Sequence, residues 1–66
     1  MATMKVVEIM ADSHKSWEDA TRQGISKASK TIKNIRSAWV KDQSVSVEDG
    51  AVTRYRVTLK MSFEVQ

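Results

Sequence analysis

The sequence has no cysteine and no proline, and it contains one histidine and two glycines in 66 residues. Without cysteine, the chain has no disulfide and no thiolate metal site. The single histidine, His14, excludes a zinc site built from several histidines of one chain. A domain of this size buries only about 60% of its unfolded surface. Self-association is therefore the stabilising device that remains available.

Long hydrophobic runs are also missing, since no apolar stretch approaches the roughly 20 residues that a helix needs to cross a bilayer. The first ten residues, MATMKVVEIM, are too short and too strand-like for a signal peptide, so we expect a cytoplasmic protein. Hydrophobic residues still make up 41% of the chain, which favours a folded chain over a disordered one. We expect a single domain over residues 1–66.

Charge of one sign is in small excess, with a formal net charge of +3. Four basic residues recur at every third position: Lys27, Lys30, Lys33 and Arg36. On a helix they would form one oblique stripe, for which a solvated surface is the simpler interpretation. An anionic partner is the alternative. Nucleic acid is disfavoured, because the sequence lacks the aromatic-rich sheet that many single-strand binders use.

The first half of the chain predicts a strand followed by a helix. Val6–Met10 is short, apolar and β-branched, as is typical of a strand. Ser16 and Asp19 form a capping-box-like pair at the helix start, with Ser13 as a competing cap. The helical pattern continues to about Lys33.

Small and apolar residues recur at steps of three and four along this predicted helix. The members of the stripe are Trp17, Ala20, Thr21, Gly24, Ile25, Ala28, Thr31 and Ile32. Gly24 costs a helix about 1 kcal/mol relative to alanine, so we expect a sheet to pack closely against it. Trp17 is expected to belong to the core.

The second half predicts a long hairpin. Ile35–Val47 and Val52–Val65 alternate in polarity, and Asp49-Gly50 between them is a strong turn signal. The order strand, helix, strand, strand predicts an α+β fold of β-α-β-β topology. Its three-stranded antiparallel sheet would wrap around one helix.

One tryptophan lies in an unusual setting, within NIRSAWVKDQ. Strict alternation would place Ser37, Trp39, Lys41 and Gln43 on one face of the strand and Ala38, Val40 and Asp42 on the other. A tryptophan beside a lysine and a glutamine is not an ordinary core residue. It could hold a ligand, seal a contact between subunits or lie on the surface.

Catalysis finds little support in the sequence. Asp12, Ser13 and His14 are adjacent in the chain, which is not the spatial arrangement of a catalytic triad. Two glycines are too few for a glycine-rich phosphate loop. We expect a protein that is not an enzyme.

Five stretches resemble a known family: SHKSWEDA, KTIKNI, WVKDQSV, VEDGAV and RYRVTLKMSFEV. In this order and spacing, the chain resembles the dodecin family over nearly its whole length. The resemblance implies a homo-dodecameric shell that binds or stores a small ligand, is not an enzyme, and in its best-known members holds flavin (FMN or riboflavin) between subunits.

The family's flavin site is changed at two positions. Ser37 stands where the resemblance implies a stacking tryptophan, and Arg56 follows Tyr55 where many flavin-binding members have a glutamine. Asp42 matches the family's aspartate, and Trp39 lies two residues beyond Ser37. We expect Ser37 and Arg56 to weaken flavin binding. For Trp39 we favour pocket filling or a subunit contact over stacking.

A second branch of the family, which lacks the stacking tryptophan, includes members described as calcium-binding. This sequence resembles that branch, so calcium or other ions, or a scaffold role, is the alternative to flavin. The available carboxylates are those of Glu8, Asp12, Glu18, Asp19, Asp42, Glu48, Asp49 and Glu64. None forms a linear calcium loop, so the metal ligands stay open.

Overall fold

A computed structural model describes residues 2–65, so the two ends of the predicted domain lie outside the described residues. The predicted β-α-β-β order is confirmed. The elements are β1 (Thr3–Ser13), α1 (Trp17–Ala28), β2 (Ile35–Glu48) and β3 (Ala51–Val65). The strands form one antiparallel sheet in the order β1-β3-β2.

The first strand is longer than its sequence pattern predicts. Val6–Met10 was expected, but β1 runs from Thr3 to Ser13. Its pairing with β3 is continuous over all these residues, from the Thr3–Val65 pair to the Ser13–Tyr55 pair. Backbone pairing to a long partner therefore extends the strand beyond its apolar centre.

The core lies between α1 and the two strands that it covers, β1 and β3. Four hydrophobic residues are fully buried there: Ala20 of the helix and Val57, Leu59 and Met61 of β3. Alternate residues of β3 face the helix, as predicted. Val7 and Ile9 of β1 pack against this core, as expected from their shared face.

Gly24 is buried at the closest approach of helix and sheet. A Cβ added there would lie 3.0 Å from Ala11 Cβ and 3.3 Å from Leu59 Cδ1. This confirms the expectation that a sheet packs closely against the backbone at Gly24.

The helix begins where the capping pair predicts. Ser16 has an extended backbone, and its hydroxyl accepts the N–H of Asp19 at 3.0 Å. Ser13 does not cap the helix. Its buried hydroxyl donates to the Asp19 carboxylate at 2.6 Å and accepts the N–H of Lys15 at 2.9 Å. The strand end and the helix start are therefore joined through Asp19.

The predicted helix end at Lys33 is wrong, because α1 ends at Ala28. The backbone tightens beyond Ala28, where the N–H groups of Lys30 and Thr31 donate to carbonyls three residues back, at 3.2 Å and 3.1 Å. Such i→i−3 bonds are frequent where α-helices end. The predicted basic stripe is consequently not helical, because only Lys27 of its four members belongs to α1.

The hairpin between β2 and β3 is the predicted one. Asp49 and Gly50 both have positive φ, 51° and 77°. A two-residue loop with both residues in the left-handed region is the turn that matches the twist of paired strands.

Strict alternation along β2 is wrong beyond Val40. The pairing register shifts between Val40, which pairs with Leu59, and Asp42, which pairs with Thr58. Lys41 is thus an extra residue in a β-bulge. A bulge of one residue reverses the facing of everything that follows. Asp42 therefore shares the face of Trp39, and Gln43 takes the helix side.

The helix covers only part of the sheet. The molecule measures 51 × 19 × 14 Å, so the sheet extends well beyond α1. Apolar side chains of β2 and the start of β3 remain exposed. They are Trp39, Val40, Val45, Val47 and Val52. We call this region the overhang.

No helix within residues 2–65 is long and apolar enough to span a membrane. The cytoplasmic location stays a prediction.

Candidate functional site

The four residues singled out from the sequence, Ser37, Trp39, Asp42 and Arg56, lie on one surface. This surface is the side of the sheet turned away from α1, which we call the outer face. Strand pairing arranges it in rows that cross all three strands. The rows are Val6–Ser62–Ser37, Glu8–Lys60–Trp39, Met10–Thr58–Asp42 and Asp12–Arg56–Ser44. Successive rows lie about 7 Å apart.

Ser37 offers no stacking surface. Its hydroxyl is hydrogen-bonded to that of Ser62, the residue opposite it on β3. Two small, mutually satisfied side chains fill the position at which the resemblance implies an aromatic ring.

Trp39 lies one row further along the outer face, opposite Lys60 of β3. It is 48% exposed. A large apolar ring with half of its surface open would contribute strongly if another molecule buried it.

Asp42 reaches the outer face only because of the bulge at Lys41. The bulge residue itself extends across the sheet, and Lys41 Nζ lies 3.1 Å from Glu8 Oε1. Within residues 2–65, Asp42 makes no salt bridge. It is a carboxylate available to a cation from outside the chain.

Arg56 is already engaged. Its guanidinium holds Asp12 in a fork, with Nε 2.7 Å from Oδ1 and Nη2 3.4 Å from Oδ2. The hydrogen bond from Arg56 lowers the pKa of Asp12, although some desolvation opposes it. The same contact raises the pKa of Arg56. Arg54 approaches Asp12 from the next outer-face position, at 3.6 Å.

Sequence reasoning places Lys41 on the face of Trp39, where its side chain does reach Glu8, but it does not pair Asp12 with Arg56. Asp12 is considered beside Ser13 and His14 and among the available carboxylates, yet its partner is Arg56, which lies opposite it in the sheet register. Apolar alternation would have placed both residues on one face without fixing them as direct neighbours. The bulge that turns Asp42 outward has no comparable signal in the sequence.

Residues 2–65 of one chain do not form a metal cluster by themselves. The described residues contain no group of three or more acidic, histidine or cysteine side chains placed to hold a metal. Calcium takes six to eight oxygen ligands. Carboxylates of one chain fit calcium only if copies of the chain bring them together.

The fold and sequence both match known proteins. The family model for dodecin matches residues 3–66. The calcium dodecin of Mycobacterium tuberculosis is 32% identical over 66 residues, which span 100% of this chain and 93% of that protein.

Solved structures agree. The dodecin of Streptomyces coelicolor superposes with a TM-score of 0.94 at 28% identity, covering 98% of this chain and 93% of that one. The calcium dodecin of M. tuberculosis, described with a novel calcium-binding site, gives 0.84 at 32% identity, covering 97% and 91%. On its sequence, its strand order and these similarities, the chain belongs to the dodecin family.

Proposed function

We propose that this chain is the subunit of a homo-dodecameric, non-catalytic shell that binds calcium rather than flavin. The observation that carries the proposal is the state of the two altered positions. Ser37 is hydrogen-bonded to Ser62, and Arg56 is held by Asp12. Neither an aromatic plane nor a free amide is present where a flavin would need them.

The loss of the stacking residue is energetically serious. Stacking of an aromatic side chain on a base contributes about 1–3 kcal/mol in nucleic-acid complexes. A flavin held between two such residues loses this contribution from both sides when each is serine. Flavin affinity is then lower by orders of magnitude.

Calcium is favoured by Asp42 and by similarity. Asp42 is an outer-face carboxylate without a salt bridge to the described residues, beside a bulge whose extra residue, Lys41, falls outside the regular pairing with β3. Carboxylate and carbonyl oxygens are the ligands that calcium prefers. The relative that is 32% identical is called calcium dodecin. In our proposal, copies of the chain supply the remaining oxygens.

Assembly is supported by the overhang. Residues 2–65 include four fully buried hydrophobic residues but leave several large apolar side chains exposed, up to 58% for Val47 and 66% for Met10 of β1. Exposed apolar surface of this extent favours contacts with other protein chains. Other copies of the chain are the occupants that the family resemblance implies.

Two titrations of the apo-protein test the choice of ligand. Calcium should raise the thermal midpoint, because a ligand that binds only the folded state stabilises it. Magnesium at equal ionic strength is the control. Riboflavin or FMN at tens of micromolar should keep its fluorescence. Flavin quenching without a calcium effect would contradict the proposal.

A restoring variant sharpens the test. The double substitution Ser37→Trp with Arg56→Gln should make the protein quench flavin fluorescence, since it returns the ring and the amide together. The matched control is Ser62→Trp, on the neighbouring strand of the same row. If the double variant assembles and still ignores flavin, the altered positions are not the reason for weak binding.

Flavin binding through Trp39 is the second candidate, favoured by the exposed ring one row from Ser37. Trp39→Phe separates the two candidates. It should leave calcium stabilisation unchanged, and any flavin quenching that the unmodified chain shows should fall with the substitution.

A further inference from the structure

The outer face carries a cluster of hydrogen-bond donors on β2 and β3, beyond the row that contains Asp42. Arg54 and Arg56 occupy successive outer-face positions of β3, and Ser46 and Ser44 lie opposite them on β2. Among residues 2–65, Asp12 of β1 is the carboxylate that forms salt bridges with both arginines. We call these five residues the arginine cluster.

The charges of the arginine cluster do not balance. Two guanidinium groups share a single carboxylate, which leaves one positive charge in excess. Arg56 takes the fork geometry with Asp12, whereas Arg54 stays at 3.6 Å, beyond ordinary hydrogen-bond distance. The Arg54 side chain is 52% exposed. Half of this side chain is therefore accessible to a ligand from solvent.

A planar guanidinium fork matches the oxygens of a phosphate or carboxylate group. The adjoining serine hydroxyls add donors on the same face. We propose that the arginine cluster binds a phosphate group, such as that of a small phosphorylated metabolite, with Arg54 as the principal ligand. Arg54 lies two rows from Asp42 and carries a positive charge, so this site is distinct from the proposed calcium site.

The probe for this site is inorganic phosphate, titrated into the full chain in calcium-free buffer and followed by calorimetry. Chloride holds the ionic strength constant, because surface charges are screened by salt. Arg54→Gln should weaken phosphate binding by at least about tenfold, the equivalent of one charge-assisted hydrogen bond.

The matched control is Arg22→Gln. Arg22 is an exposed helical arginine paired with Glu18, so its removal changes the net charge equally and leaves the outer face intact. Asp12→Asn provides a change in the opposite direction. It removes the anion that competes for the guanidinium groups, and phosphate should then bind more tightly.

Three results would overturn the proposal. The first is equal phosphate binding by the Arg54→Gln and Arg22→Gln proteins. Phosphate binding would then depend only on the net charge of the chain. The second is weaker binding by Asp12→Asn. The third is an unmodified chain that binds no phosphate but dissociates when Arg54 is replaced, since Arg54 would then pair with a carboxylate of another copy.

Discussion

The half of the sheet under the helix and the overhang are built from similar residues but differ in how completely they are buried. Leu59 and Met61 of β3 are fully covered by α1, whereas Val45 and Val47 of β2 are exposed in the single chain. The same hairpin supplies both regions. The difference indicates that one helix is too small to cover this sheet, and it supports our proposal that other copies of the chain cover the overhang.

The largest expected effect falls in the covered half. Leu59→Ala should lower the free energy of unfolding by about 2–5 kcal/mol, because it leaves a cavity among fully buried residues. Denaturant unfolding at one fixed protein concentration measures it. A loss below 1 kcal/mol would mean that the helix and sheet collapse around the site.

Val45→Ala in the overhang should behave differently. Its cost should depend on protein concentration, because in our proposal the side chain is buried only when copies associate. Thermal midpoints measured over a hundredfold range of concentration distinguish the two variants. If Val45→Ala shows the same shift at every concentration, the overhang is not a contact between copies.

Alanine should destabilise the protein at both glycines, but for different physical reasons. Gly24→Ala should destabilise the protein by about 1–3 kcal/mol through overpacking, because its Cβ would meet Ala11 at 3.0 Å. Gly50→Ala meets no atom within 4 Å, and its cost of about 1–2 kcal/mol comes from positive φ alone.

Asparagine separates the two mechanisms, because it tolerates the left-handed region and is larger than alanine. Gly50→Asn should recover most of the stability lost in Gly50→Ala, and Gly24→Asn should be worse than Gly24→Ala. Unfolding in urea measures both. The reverse order at either position would contradict the assigned cause.

Acid should lower the stability of the protein through Asp12 and Asp19, by less than the substitutions above. The pKa of Asp19 is lowered mainly by the Ser13 hydrogen bond, and that of Asp12 mainly by Arg56. A lowered folded pKa gives stability that is present above the usual carboxyl pKa and is lost as the pH falls through the folded value. Thermal midpoints should therefore fall below about pH 4.

Salt tells the two aspartates apart. Asp12→Asn should reduce the fall of the thermal midpoint in acid at low salt. The substitution should have less effect at high salt, because the partners of Asp12 are exposed arginines. Asp19→Asn should reduce the fall of the thermal midpoint at either salt concentration, because the main partner of Asp19 is the uncharged Ser13 hydroxyl. Equal salt dependence for the two variants would contradict this assignment.

The sequence predicts the helix start, the helix–sheet contact and the hairpin turn well because their signals are local. The Ser16 cap, the close approach at Gly24 and the Asp49-Gly50 turn each follow from one or a few neighbouring residues, and all three are confirmed. The end of the helix was placed too late, because the apolar periodicity continues to Ile32 although the backbone already tightens to i→i−3 bonds at Lys30 and Thr31.

The candidate site was predicted less completely. Ser37 and Arg56 were identified through the family resemblance, but strict alternation placed Asp42 on the wrong face. The bulge at Lys41 arises from pairing between two strands, and nothing in the local sequence marks it. Likewise, the salt bridge between Asp12 and Arg56 depends on the pairing register of β1 and β3. The ligand role of these residues stays a prediction.

Sedimentation velocity of the unmodified chain at micromolar concentration tests directly whether twelve copies assemble into a shell. A shell of twelve 7.5 kDa chains has a mass of about 90 kDa and closed symmetry. The account predicts one sharp boundary at that mass, with the overhang buried between copies. A stable, folded species at the mass of one chain would contradict it, because the exposed apolar surface of the sheet would then need no partner.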